Sequence, residues 1–367
     1  MATMERGRPR PPDPRSGLPT APGAPARDHP LTPSLARRGK NCRAPGSPSL
    51  PRRGSGGGLP QSSGDRRGQP AAHLIRALLA PLLATALSAA EVTAPGATVT
   101  RLAGGFGFTE GPTSDARGNV YFTDQPSNRI LLWSVDGQLS TFLEPAGRSN
   151  GLCFDAQGQL WACADERNEL WRIDPATKAV TVVVKEHGGK LLNGPNDLWV
   201  RPDGGVYLTD PYYRRGYWQR GPSEQACEGV YYLAPDAQKL VCVAADLRKP
   251  NGVIGTPDGK TLYVGDIGAG RTWAYDIAPD GGLSGKRLFC QQGSDGMTID
   301  AEGNVYLTGR GVTVFDRQGR QVQQIDVPER RSATNACFGG PERRTLFITA
   351  GGALYSVAMR VAGVGAG

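Results

Sequence analysis

Gly118-Asn-Val-Tyr-Phe-Thr-Asp124 returns almost unchanged as Gly204-Gly-Val-Tyr-Leu-Thr-Asp210 and as Gly303-Asn-Val-Tyr-Leu-Thr308. Each copy is a turn glycine followed by a β-branched and aromatic run, the pattern of a short strand leaving a tight turn. Weaker copies follow Gly158 and Gly259, and a degenerate one follows Arg343, so the intervals are 40, 46, 55, 44 and 40 residues. A period of about 40 to 45 residues with four strands per unit is the signature of a β-propeller. Nothing beyond residue 98 has helical periodicity.

The first unit shows the strands directly. A short inner strand follows Gly111, the turn Asp115-Ala-Arg-Gly118 leads into 119–124, and further strands cover Ile130–Val135 and Leu139–Leu143. The sixth unit has only three, at Asn335–Gly339, Thr345–Thr349 and Ala353–Met359. Residues Ala97–Leu102 precede the first unit without a blade of their own and would supply the missing outer strand, leaving no open edge. The expected fold is all-β: a six-bladed β-propeller with four-stranded blades, its ring closed by an N-terminal strand in the last blade.

Charge separates the propeller from what precedes it. Residues 1–90 hold 14 Arg/Lys and 4 Asp/Glu, a net of +10, whereas 91–367 holds 28 and 30, a net of −2. A nucleic-acid binder needs its cationic face on the folded surface, so this class is excluded for the propeller. Residues 1–70 carry 14 of the 30 prolines and read either as a disordered basic tail or as sequence upstream of the true start. Residues 71–90, with Arg76 before an Ala/Leu run from Ala77 to Ala90, have the pattern of a secretory signal peptide cleaved near 86–90. The run is too short for a membrane span. The mature protein, 91–367, is thus expected in a periplasmic or extracellular compartment without a stable membrane anchor. Its six cysteines match no zinc spacing and read as buried thiols, although Cys227 and Cys242 flank a hairpin that a bridge could close.

Eight residues before each turn position stand Glu110, Asn150, Asn196, Asn251, Asp295 and Asn335, each an acid or an amide. Equivalent positions of a propeller lie at one height around its axis, so six oxygen-bearing side chains are expected to converge on the central channel. Most are followed by glycine or proline, which lets the backbones crowd together there. Carboxylates with amide carbonyls, and neither imidazole nor thiolate, make a hard oxygen cage of the type that takes calcium. Such an ion could polarise a carbonyl or phosphoryl oxygen, with Asp295 as general base or nucleophile; a purely structural ion is the alternative. A Ser-His-Asp triad is disfavoured because no GxSxG elbow is present. His187, in the loop before Asn196, is either a solvated histidine or a proton shuttle over the channel. The aromatic insertion at Tyr212, Tyr213, Tyr217 and Trp218 accounts for the 55-residue interval and reads as a lid, a binding surface or plain loop packing.

The runs Thr109-Glu-Gly-Pro112, Asn150-Gly-Leu-Cys-Phe-Asp155, Leu192-Asn-Gly-Pro-Asn-Asp197, Tyr207-Leu-Thr-Asp-Pro211, Pro250-Asn-Gly252, Ser294-Asp-Gly-Met297 and Phe338-Gly-Gly-Pro341 with Leu346-Phe-Ile-Thr349 resemble the gluconolactonase and regucalcin (senescence marker protein) family, its bacterial gluconolactonase branch in particular. The resemblance covers about residues 98–360. It implies a six-bladed propeller with a divalent metal in the channel, commonly calcium with Mg2+, Mn2+ or Zn2+ as alternatives, that hydrolyses a small-molecule sugar lactone to an aldonic acid. It implies metal ligation by Glu110, Asn196, Asn251 and Asp295, with Asp295 as the catalytic acid/base. The animal branch has a substrate-contacting arginine where this chain has Gly194, so substrate contacts are expected from Asn150, Asn196, Arg148 or Tyr212 instead. A metal-dependent phosphotriesterase acting on organophosphates and a non-catalytic ligand-binding propeller are the competing readings.

Overall fold

A computed structural model describes residues 91–328 and 332–365; the tail and signal-peptide expectations for 1–90 lie outside the described residues. Six four-stranded antiparallel sheets and one two-stranded hairpin make up the sheet structure among those residues. Blade 1 spans Thr109–Ser114, Val120–Asp124, Arg129–Trp133 and Leu139–Leu143. The innermost strands of blades 2 to 6 are Ser149–Phe154, Leu198–Val200, Pro250–Gly255, Met297–Ile299 and Ala333–Gly339. Thr100–Gly104 completes blade 6 by pairing with its third strand, Thr100 opposite Ser356 and Gly104 opposite Ala353. The predicted closure of the ring is therefore present, displaced two or three residues along the chain. Among the described residues no helix is long and apolar enough to cross a membrane.

Local chemistry makes each unit. In blades 1 and 2 the turn between the first two strands carries an aspartate whose Oδ1 accepts backbone N–H groups two and four residues on, Asp115 from Arg117 and Asn119 and Asp155 from Gln157 and Gln159. Such side-chain turns fix the reversal and so the register of the strands that follow. Both faces of the second strand are covered by neighbouring blades, so Val120–Asp124 and Val206–Asp210 are buried along their whole length. Hydrophobic clusters fill the wedges between blades, as where Trp161, Leu170, Leu198 and Tyr231 join blades 2 and 3.

The threonine of the repeated Val-Tyr-x-Thr run ties one blade to the next. Thr123 Oγ1 donates to the Asn150 carbonyl at 3.1 Å, Thr209 Oγ1 to the Asn251 carbonyl at 2.7 Å and Thr308 Oγ1 to the Thr334 carbonyl at 2.8 Å. Thr209 also accepts from the Asp197 amide at 3.1 Å. Thr209→Val keeps the shape and removes both bonds, so the free energy of unfolding should fall by about 1–3 kcal/mol. Urea denaturation measures this, and a variant as stable as the parent would show that the tie contributes nothing.

Candidate active site

All six ring positions stand at the entrance to an innermost strand. Glu110, Asn150, Asn196, Asn251 and Asn335 are buried and Asp295 is half-buried. The glycines that follow them are needed for close approach. Gly111 has φ 48° and an added Cβ would lie 2.1 Å from the Asn150 carbonyl oxygen, while at Gly296 it would lie 1.9 Å from Asn335 Cγ. Aspartates at the ends of second strands fix the segments leading into the ring. Asp124 accepts from the amides of Gly107 and Phe108, Asp210 from Asn193 and Gly194, and Asp266 from Arg248 and Lys249.

Within the ring, Asn251 Nδ2 donates to Asp295 Oδ1 at 2.8 Å, and Glu110 Oε2 accepts from the Gly111 amide at 3.1 Å. A seventh polar residue, Asp197, joins the group. Its Oδ2 accepts from Asn335 Nδ2 at 3.3 Å. Asp197 belongs to blade 3 and Asn335 to the opposite blade 6, so this bond spans the axis. Asn196 is the only ring position followed by an acid, and that is the signal by which the sequence marks Asp197.

Three carboxyl groups thus share one poorly hydrated space. Burial pushes Asp295 and Asp197 up from 3.8 to about 7, with the neighbouring Asp295 charge adding to the effect on Asp197. Glu110 is raised too, first by burial and then by Asp295. Asn251 Oδ1 is buried without a hydrogen-bond partner. A cation would satisfy that oxygen and relieve the repulsion among the carboxylates, so the residues present fit a divalent ion bound through oxygen. Among the described residues no group of three or more His, Cys, Asp and Glu is arranged to hold a metal, so an ion here would depend on the amides as well as the acids.

Over the mouth lies the third-blade insertion, residues 211–228, which joins Val206–Asp210 to Gly229–Leu233. Buried Asp165 of blade 2 clamps it. Asp165 Oδ2 accepts from Arg215 Nε at 2.8 Å and from the Tyr217 hydroxyl at 2.6 Å, and the Asp165 carbonyl accepts from Trp218 Nε1 at 2.7 Å. The Tyr213 hydroxyl is 3.2 Å from Asn251 Nδ2 and so borders the ring. Sequence reasoning noticed the aromatic loop but not Arg215, because the insertion interrupts the repeat and has no register to count from, nor Asp165, whose partners lie in that insertion.

The remaining candidates lie in the insertion or pack against it. Arg148 stacks over Tyr217 at 4.5 Å and its Nη1 donates to the Pro126 carbonyl at 2.8 Å. Tyr212 packs against Trp218 at 5.9 Å, and its carbonyl accepts from Lys249 Nζ at 2.9 Å. His187 is in the hairpin of Glu186–His187 with Lys190–Leu191, Nδ1 3.4 Å from Gln225 Oε1 and its ring edge-on to Tyr231 at 5.0 Å.

Fold and site define a channel propeller whose axis carries an oxygen-donor cage. Residues 108–352 match the SMP-30/gluconolactonase/LRE-like region, and the chain belongs to that family. It is 31% identical to a gluconolactonase of Zymomonas mobilis over 272 residues, 66% of this chain and 76% of that protein. A solved gluconolactonase of Xanthomonas campestris superposes with a TM-score of 0.68 at 32% identity, covering 73% of this chain and 91% of that one. Regucalcin of Agrobacterium tumefaciens, a calcium-binding protein, shares the fold with a TM-score of 0.61 at 21% identity over 72% of this chain and 94% of that one.

The raised carboxyls set a pH dependence for the metal-free protein. A folded value above the unfolded one means that protonation stabilises the fold, so this contribution is full below pH 3.8 and is lost as pH rises to about 7. Chelator-treated protein should melt at a lower temperature at pH 8 than at pH 5.5, and calcium should remove the difference while releasing protons at pH 6. Thermal melts and weakly buffered titrations test this; a metal-free protein that melts higher at pH 8 contradicts it.

Proposed function

We propose that this protein is a calcium-dependent hydrolase of sugar lactones of the gluconolactonase type. The observation that carries the reading is the cage itself, in which Asp295 is hydrogen-bonded to Asn251 beside buried Glu110 at the foot of a channel. The relatives support it, since the Zymomonas and Xanthomonas proteins are both gluconolactonases. Glu110, Asn196, Asn251 and Asp295 would hold the ion, and calcium is favoured over Mg2+, Mn2+ and Zn2+ because the donors are all hard oxygens on an irregular ring. When bound, such an ion polarises an ester carbonyl and lowers the pKa of water.

The chain's own groups do the rest. Asp295 Oδ1 is fixed by Asn251, which orients the carboxylate and leaves Oδ2 to take a proton from the attacking water. Water adds to the acyl carbon, the ring C–O bond breaks, and the departing oxygen takes a proton to become the hydroxyl of an aldonic acid. Asn150 and Asn196 carry amides at the same height, suited to hold the lactone's polar atoms. The apolar run at 77–90 and its basic flank support a periplasmic or secreted location.

Hydrolysis of glucono-1,5-lactone by purified 91–367, followed by acid release, should vanish with chelator and return with calcium. Asp295→Asn should lose about 10²–10³ in kcat, the usual scale for removing one group that acts in the transition state. A calcium-loaded protein inert on a lactone panel but active on phosphotriesters would replace this reading with the phosphotriesterase one.

A further inference from the structure

The insertion carries three arginines, and one of them, Arg215, reaches the ring through Tyr213. Arg215 is 25% exposed and is held by the single bond from Nε to Asp165. Its guanidinium lies 5.6 Å from the centre of the Tyr213 ring, and the Tyr213 hydroxyl borders Asn251. Neither Nη group of Arg215 donates a hydrogen bond within the described residues, so both stay available above the cage. Of the other cations nearby, Arg148 donates to the Pro126 carbonyl and Arg220 to the Leu192 carbonyl, Lys249, 4.9 Å from the Tyr213 ring, is paired with Glu228 at 2.8 Å, and Arg214 is exposed.

Resting on the lactonase reading, we propose that Arg215 is the specificity residue that reads the hydroxyl groups of the sugar lactone. The ester must reach the carboxylates at the ring, and the Asp197–Asn335 bond across the axis blocks deeper entry. The hydroxylated carbons of the lactone then face the mouth, where Arg215 stands. A guanidinium held through Nε presents two Nη donors in a rigid fork, which matches two neighbouring hydroxyl oxygens. Asp165, the Tyr217 hydroxyl and the Tyr213 ring fix that fork before substrate arrives, so little ordering remains to be done on binding. Asp165 and Tyr217 are accordingly positioning residues for Arg215.

The test compares kcat/KM for glucono-1,5-lactone with that for δ-valerolactone, the same six-membered ester without hydroxyls, using calcium-loaded protein. Arg215→Ala should reduce the ratio of the two values by about 10- to 100-fold, the scale of a hydrogen bond from a charged donor, mainly through KM. Arg215→Lys, which keeps the charge and loses the fork, should fall between, and added guanidinium should restore part of the ratio in the alanine variant. Melting temperature and calcium affinity establish that each variant is folded with its cage intact; if the alanine variant does not fold, the lysine variant decides. An equal loss on both lactones, or an unchanged ratio, overturns the assignment. Parent protein that binds calcium and hydrolyses neither lactone overturns the lactonase reading and this assignment with it.

Discussion

Hydrogen bonds between neighbouring blades at the height of the ring are what the rest of the molecule depends on. Thr123 grips the Asn150 carbonyl, the Gly151 amide the Asn196 carbonyl, and Thr209 the Asn251 carbonyl. The Gly252 amide meets the Ser294 carbonyl, Thr308 the Thr334 carbonyl, and Thr334 the Thr109 carbonyl. Every junction of the six blades has such a bond beside a cage residue. Hydrophobic wedges supply most of the favourable free energy, but they are tolerant of small slips. Directional bonds to single carbonyls are not tolerant, and they give the oxygen atoms of the cage common height and spacing.

The same bonds explain why so much was readable in advance. The threonine sits in the repeated run itself, and counting back from the turn glycine located the ring residues that stand beside these bonds. Glu110, Asn150, Asn196, Asn251, Asp295 and Asn335 all came from one spacing because one geometry repeats. Legibility ended where the repeat ended. Asp197 is a step past its ring position, and its importance comes from a partner 138 residues away on the opposite blade. Asp165 looks like one more strand-end aspartate of the kind that Asp124, Asp210 and Asp266 represent, yet it accepts from Arg215 and Tyr217 of the insertion instead of from the segment entering its own blade. Contacts of that kind have no local pattern.

The glycine at 194 has a local cause. Its φ of 151° lies where side chains are strained, and an added Cβ would stand 2.8 Å from Asp165 Oδ1 and 3.0 Å from the Trp218 ring. The space that a longer side chain would occupy belongs to the clamp on the insertion. Position 194 and the insertion are therefore coupled: a side chain at 194 would be strained and would press on Asp165 and Trp218, which hold the loop that carries Tyr213 and Arg215 to the mouth.

The bond between Asp197 and Asn335 has a consequence for traffic. Two side chains from opposite blades meet on the axis and border a cavity of about 100 Å³ that Leu152, Val253, Met297 and Phe338 also line. On the insertion side the channel ends at this pair. Whatever enters from the insertion side has to leave by the same door, so a ring-opened product, longer and carrying a new carboxylate, must back out past the loop before another molecule can take its place. Product and substrate then compete for one berth, and the pace of the whole cycle can be set by departure and not by bond breaking.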